Sequence, residues 1–236
     1  MGELPNSPFL NKKKMTTTEQ AFIKFQIKVN ETYESSKIGI DRGRFVVLFN
    51  EAQNKMVEFI LNRKGTDDYT YIQNILVPNK KIHRETTTQD SDVFPMPDDL
   101  LNFSSAYSTA SMGNCKNQKI NLFDIKDDNK TEILQDEFNK PSFLAREAPL
   151  SMAGNKLFLY KDGFTHEILF LTYYRYPKQI ALLDPENPES PFDPNINPEF
   201  DDLLLDRILS MASSEFEINS GDPKFQVDRV RATEQL

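Results

Sequence analysis

Apolar positions recur at helical spacing over the first third of the chain and give way to short alternating runs over the middle. Thr16 to Glu19 offers a capping box, with Thr16 as cap and Glu19 three residues on. Phe22, Phe25, Val29 and Tyr33 then share one helical face down to about Ser36. A second helix is predicted over 41–62, where Phe45, Leu48, Phe49, Ala52, Met56, Phe59 and Ile60 follow the three-then-four pattern. Asp41 is its cap, Arg63 and Lys64 suit the negative end of the helix dipole, and Gly65 stops it. A shorter third helix starts at Thr66, carries Tyr71, Ile72, Ile75 and Leu76 on its face, and ends at Pro78.

From Lys81 to about Ala181, Gly and Asn turns separate runs rich in Thr, Tyr, Phe, Ile and Leu. Strands are predicted at 83–88, 104–111, 118–123, 156–160 and 167–174. The strongest hairpin signal is 156–174, with Lys161-Asp162-Gly163 as the turn. Residues 127–138 read equally as a short helix or a loop. The stretch 184–202 holds five prolines and seven acidic residues with no Lys or Arg, a composition that packs no core and favours an extended path. Structure resumes at Phe200-Asp201-Asp202, opening a last helix through Leu204, Ile208, Met211, Ala212 and Phe216.

These runs define an arm (1–15), a helical region (16–80), a β-rich region (81–183), an acidic Pro-rich link (184–200) and a C-terminal helix with its tail (201–236). The fold class they imply is α+β: an N-terminal helical hairpin or bundle completed by a C-terminal helix, with a central antiparallel β-rich region. Helices followed by strands are not the alternation that builds a parallel sheet.

Composition narrows the function. Over 236 residues, 38% hydrophobic content with 18 Phe and no Trp is ample for a folded core. A formal net charge of −8 argues against wrapping DNA or RNA, which requires Lys and Arg to displace counterions from phosphate. It suits a surface past which DNA slides without sticking. One cysteine, Cys115, excludes an internal disulfide and a thiolate metal cluster. The basic run Lys12 to Lys14 follows the few apolar residues of the N-terminus, the wrong order for a secretory signal, and no apolar run approaches a bilayer span. Synthesis in a reducing cytosol is the expectation, and the sequons at Asn30, Asn102 and Asn129 read as chance.

Candidate chemistry is sparse. No phosphate-binding loop is present; Gly39 and Gly43 read as a turn between helices. His83 and His166 are the only histidines, too few for a clustered imidazole site. His166 beside Glu167 is conceivable as a general base, but a solvent-facing strand histidine is the commoner arrangement. Cys115 next to Lys116 lacks an evident base. The acidic group Asp124, Asp127, Asp128, Asn129 and Glu132 fails the calcium-loop order, with Lys126 at a ligand position and no Gly for the turn. Asp98 and Asp99 are adjacent and point apart on most backbones. No catalytic, cofactor-binding or metal residue is therefore assigned, and no cofactor is expected. Tyr173, Tyr174 and Tyr176 cannot all face inward on one strand, so the exposed members suit a protein contact.

Three segments carry a resemblance: Phe94-Pro95-Met96-Pro97-Asp98-Asp99-Leu100-Leu101 followed by the small-residue stretch 104–111; the aromatic strand 171–180 with its Tyr176-Pro177 exit; and the acidic link leading into 201–216. In that order, after an N-terminal helical hairpin, the chain resembles the head-to-tail adaptor or ring proteins of short-tailed bacteriophages, the crAss-like type in particular. The resemblance spans about 16–225 and includes no catalytic motif. It implies a non-enzymatic virion protein of the neck or tail, made in the bacterial host cytoplasm. Twelve copies would form a ring below the portal protein, with the genomic DNA passing through the lumen on ejection and no membrane involved. Portal and neighbouring ring or tail proteins would be its partners, reached by the arm 1–15 and the tail 225–236. Two other classes stay open: a cytosolic, non-enzymatic protein-binding or regulatory module, and a hydrolase assembled from scattered Asp and Glu.

Overall fold

Thr17, not Thr16, caps the first helix, α1 (Thr18–Thr32). The Thr17 hydroxyl accepts from the Gln20 amide at 3.2 Å while the Gln20 side chain accepts from the Thr17 amide at 3.1 Å, a reciprocal box one residue beyond the predicted one. The displaced pair works elsewhere: Glu19 takes Arg42 at 2.7 and 3.0 Å, and Thr16 donates its hydroxyl to Asp202. The computed structural model describes residues 16–32, 39–63, 67–183 and 195–219. The predicted arm and tail, Tyr33, Gly65, and residues 184–194 of the acidic link lie outside the described residues.

The fold is α+β, with two compact units: residues 75–176, and the remainder of the chain on either side of them. In the helical unit, α2 (Arg42–Asn62) begins at the expected cap, where the Asp41 side chain accepts from the Arg44 amide. Gly43 leaves room for that carboxylate, since a Cβ there would meet Asp41 Oδ2 at 3.0 Å. The buried face of α2 is rotated from the one read in sequence: Val46, Gln53 and Val57 are buried, while Met56 is half-buried and Phe59 exposed beneath Arg63. The buried Gln53 amide nitrogen donates to the Lys178 carbonyl at 3.1 Å, while its side-chain oxygen has no hydrogen-bond partner among the described residues.

Phe25 of α1 lies 5.2 Å from Phe45 of α2 and 6.1 Å from Phe216 of the C-terminal helix, α4 (Asp202–Asn219), measured between ring centroids. Leu204, Leu205, Ile208, Leu209 and Ala212 are fully buried on α4. Each such side chain is worth about 1.5–3 kcal/mol against exposure, far more than the surface pairs Lys55–Glu215 and Lys28–Asp206 that accompany it.

The predicted third helix is a 3-10 helix, Asp67–Ile75, followed at once by a strand, β1 (Leu76–His83), that runs through Pro78. Proline is accepted there because β1 is an edge strand and its ladder is broken between Val77 and Lys80, where Asn79 adopts a φ of 49°. The β unit continues with β2 (Thr86–Thr87), β3 (Ser91–Pro95), β4 (Leu100–Met112), β5 (Cys115–Asp124), a short helix α3 (Lys130–Gln135), β6 (Glu147–Ala153), β7 (Lys156–Tyr160) and β8 (Thr165–Arg175). All eight strands form one strongly curled sheet in the order β1-β8-β4-β5-β6-β7-β3-β2.

Two expectations are corrected here. The sheet is mixed, because β5 and β6 pair in parallel across the α3 crossover. Residues 156–174 are not a hairpin: β7 has its edges taken by β6 and β3, and β8 by β1 and β4. Lys161-Asp162-Gly163 does turn, with Gly163 at φ 69°, but Lys161 first bonds the Asp90 carbonyl and carries the chain along β3. The tight hairpin of this region is β6–β7, where Gly154 and Asn155 both take positive φ as a two-residue turn of primed type requires.

Inside the curl, Phe94, Ile120, Leu150, Leu157, Leu159, Leu169, Leu171 and Tyr173 form the core with Ala106 and Ala110 of β4. At one place this core is polar: Asp92, fully buried, is an ion-pair partner of Lys161 at 2.9 Å and Arg84 at 3.6 Å. Asp92→Ala is expected to destabilise the β unit by about 3–5 kcal/mol, because it strands a buried ammonium. Urea unfolding at neutral pH measures this; an unchanged midpoint would show that Asp92 is not required.

Candidate functional site

The ionisable cluster of the β unit arises from one extra residue. Thr109 of β4 faces Ile168, yet the next residue, Ala110, faces His166, so β8 carries a bulge at Glu167. Side chains change phase across it. Leu169, Leu171 and Tyr173 point into the core on odd numbers, and Phe164 and His166 on even ones. His166 is therefore fully buried, not the solvent-facing strand residue that simple alternation implies. Small residues opposite it make the space: Ser108 and Ala110 of β4 are both buried.

Each polar atom of the imidazole is occupied. Nε2 lies 3.1 Å from the Tyr160 carbonyl oxygen, which only accepts, so Nε2 carries the proton and Nδ1 accepts from the Ser108 hydroxyl at 2.6 Å. The His166 backbone amide donates to Asp92 Oδ2 at 2.7 Å, and Asp92 Oδ1 receives the Lys161 ammonium and the Thr87 hydroxyl. Arg84 donates to the His166 carbonyl at 2.9 Å. Burial pushes the imidazole down to about 4, opposed by the Tyr160 carbonyl and by Asp92, and assisted by Lys161 and Arg84. At neutral pH the ring is uncharged.

Ser108 and His166 have the composition of a nucleophile and base, but the geometry assigns them another task. Ser108 is fully buried, and the nitrogen that an orienting carboxylate would hold in a hydrolase faces a carbonyl instead. A cleft of about 460 Å³ beside Tyr160 is lined by Thr88, Ser91, Lys130, Lys140 and Lys161 among others, and none of Asp92, Ser108 or His166 lines it. The arrangement locks strands together and holds no open position for a reacting atom.

The remaining candidates are dispersed. Cys115 is exposed at the start of β5, paired across the turn with Met112. Asp98 is exposed while Asp99 accepts from the Tyr173 hydroxyl at 2.7 Å, and Lys80 donates to that hydroxyl at 3.0 Å. Burial pushes the Tyr173 phenol up, and the hydrogen bond that Lys80 donates to the Tyr173 oxygen pushes Lys80 up. Burial works against the Asp99 carboxylate, but Tyr173 and Lys80 outweigh it and hold the group below the ordinary range. Tyr173 and Tyr174 are buried and only Tyr176 is exposed, so most of the expected tyrosine contact face belongs to the β unit itself. Burial raises the Asp124 carboxyl. Among the described residues no group of three or more His, Cys, Asp or Glu is placed to hold a metal, and no helix is long and apolar enough to cross a membrane.

The described end of the acidic link has a structural task. The Ile196 carbonyl accepts from the Thr18 hydroxyl at 2.6 Å, Asn197 accepts from the Thr18 amide at 3.0 Å, and Ala181 and Ile196 bridge. A surface feature that sequence reading missed lies between α3 and β6: Phe138 is 93% and Leu144 87% exposed. Neither sits in a periodic run, and periodicity was the only signal available there. No protein-family model matches the chain and no curated protein matches its sequence.

Neutral His166 makes stability depend on acidity. As pH falls from 6.5 toward about 4, the unfolded chain takes up a proton that the folded chain refuses, so stability is lost through that window. The loss is on the order of 3 kcal/mol. Denaturant unfolding at several pH values, in the wild type and in His166→Gln, measures it. The variant is expected to flatten the profile, and equal slopes in both proteins would contradict the assignment.

Proposed function

We propose that this chain is a structural subunit of a virion, forming with further copies a ring at the portal–tail joint of a short-tailed bacteriophage, around the channel through which DNA leaves. The observation that supports the non-enzymatic part is the internal saturation of the Asp92–His166 network, which commits the Ser108–His166 pair to holding the curled sheet. The order of segments resembling the adaptor rings of crAss-like phages supplies the location, the twelve-fold ring and the portal and neighbouring ring proteins as partners. A net charge of −8 fits a lumen that DNA traverses without adhering.

The two units divide the work in this reading. The β unit is a stiff block, closed on itself by hydrogen bonds and ion pairs. The helical unit draws α4 from the end of the chain, and the segments flanking its described parts carry the arm and the tail. Ring formation then needs one face to meet a different face, repeated until the rotation closes.

Electron microscopy of the particle's neck, together with peptide mapping of purified virions, tests the proposal. A ring of density beneath the portal that accommodates the curled sheet is the expected result. Absence of the chain from virions, with recovery of a small defined complex from host cytoplasm, would overturn it in favour of a cytosolic protein-binding module.

A further inference from the structure

A sheet that no ladder closes has two ends, and each end offers unpaired main-chain groups to any strand that approaches. At one end β2 is two residues long and lies on β3. The Glu85 and Thr88 amides donate to the Val93 and Ser91 carbonyls at 2.8 Å each, so Ser91 and Val93 turn their main-chain groups toward β2. The next residue of that alternate set is Pro95, which has no N–H to offer a further strand. At the other end stands β1, eight residues long and paired on one side only, with β8.

Three features meet on the β1 edge. Val77 faces Tyr173 and Lys80 faces Leu171, so Pro78 and Asn79 lie together opposite Thr172 as a bulge. Pro78 brings no donor there, and Asn79, at a φ of 49°, donates its amide to the Thr172 hydroxyl at 3.1 Å and not to a ladder carbonyl. Lys80 comes two residues before Ile82 of the core, which puts both on the inner face of the sheet. Its ammonium donates to the hydroxyl of the core residue Tyr173 at 3.0 Å and lies 3.6 Å from Asp99, yet the Lys80 side chain is 42% exposed because β1 is the last strand. A strand laid beyond β1 would cover this inward-pointing charge and strip its water. A missing donor, an interrupted ladder and an inward lysine on three consecutive residues are the means by which sheet edges are kept from pairing.

We propose that Pro78, Asn79 and Lys80 form a guard that stops the β1 edge from adding a strand of a second copy. Copies of this chain then associate through side-chain surfaces and not by continuing the sheet. The inference does not depend on the virion reading, since a ring subunit and a cytosolic binding module both need a sheet that ends within one chain.

Sedimentation velocity and amide hydrogen exchange of the full-length protein, each at low and high concentration, test it. The guard is removed by Pro78→Val and Lys80→Val with Asn79 deleted. Deleting the extra residue leaves the inward and outward sets of β1 in phase. This variant is expected to form larger species at concentrations at least about tenfold below any at which wild type does. Its segment 76–83 should gain exchange protection as it associates, while in wild type that segment exchanges at one rate at every concentration. A second pair keeps the chain length, in case the deletion does not fold. Pro78→Val with Lys80→Val restores the donor and removes the charge, and should associate through 76–83; Pro78→Val with Lys80→Arg keeps the charge, and should not. A folded deletion variant that sediments as wild type does overturns the proposal, and so does equal behaviour of the two double variants. Wild type whose segment 76–83 gains protection with concentration also overturns it, because its edge then pairs despite the guard.

Discussion

Curling an eight-stranded sheet brings β3 opposite β8 without a ladder between them, and the Asp92 carboxylate spans that gap. One oxygen takes the backbone amide of His166, and the other takes the ammonium of Lys161 from the end of β7. Arg84, just beyond β1, approaches the same carboxylate and bonds the His166 carbonyl. Three strand ends thus converge on one buried charge. Such a charge is tolerable only while its partners are present, so closure of the sheet and saturation of the carboxylate are the same event. A half-made version would leave an unpaired ion in an apolar core, which favours one closed geometry over a family of looser ones.

The same closure buries the pair that most resembles catalytic machinery. Ser108 and His166 are aligned as a nucleophile and base would be, yet both are sealed behind strands, and the imidazole is held neutral by its surroundings. Catalysis needs a poised pKa and an approach for substrate. At His166 the ring is neutral and hydrogen-bonded on both nitrogens. What faces solvent is the loop with Phe138 and Leu144, Tyr176 beyond β8, and the outer face of α1. They stand on units whose apolar cores are buried beneath them.

Helices were the most legible part of the sequence. Asp41 caps α2 as its position before the apolar repeat suggests, and Phe45, Leu48, Phe49, Ala52 and Ile60 are buried as their spacing demands. The differences are of phase: Thr17 caps with Gln20 while Thr16 and Glu19 bond Asp202 and Arg42, and Val57 is buried where Phe59 is exposed. Strand pairing was far less legible, since periodicity identifies a strand without naming its neighbour. The Lys161-Asp162-Gly163 turn is real, and only the full sheet order reveals that β7 and β8 have other partners. β3 is hard to read from periodicity because Asp92 interrupts its apolar run, and that residue is the one that bonds His166. The burial of His166 is hidden for a related reason: the bulge at Glu167 reverses the inside and outside of β8 and leaves no mark in the local sequence.

Amide hydrogen exchange at His166 tests the clasp most directly. Its N–H bonds a side chain and not a ladder carbonyl, so protection depends on the Asp92 carboxylate remaining in place. The account predicts that this amide exchanges only through global unfolding of the β unit, as slowly as the amides of β4 in the middle of the sheet. Exchange as fast as that of the edge strands β1 and β2 would contradict it, and would mean that the curl is held by core packing without the Asp92 clasp.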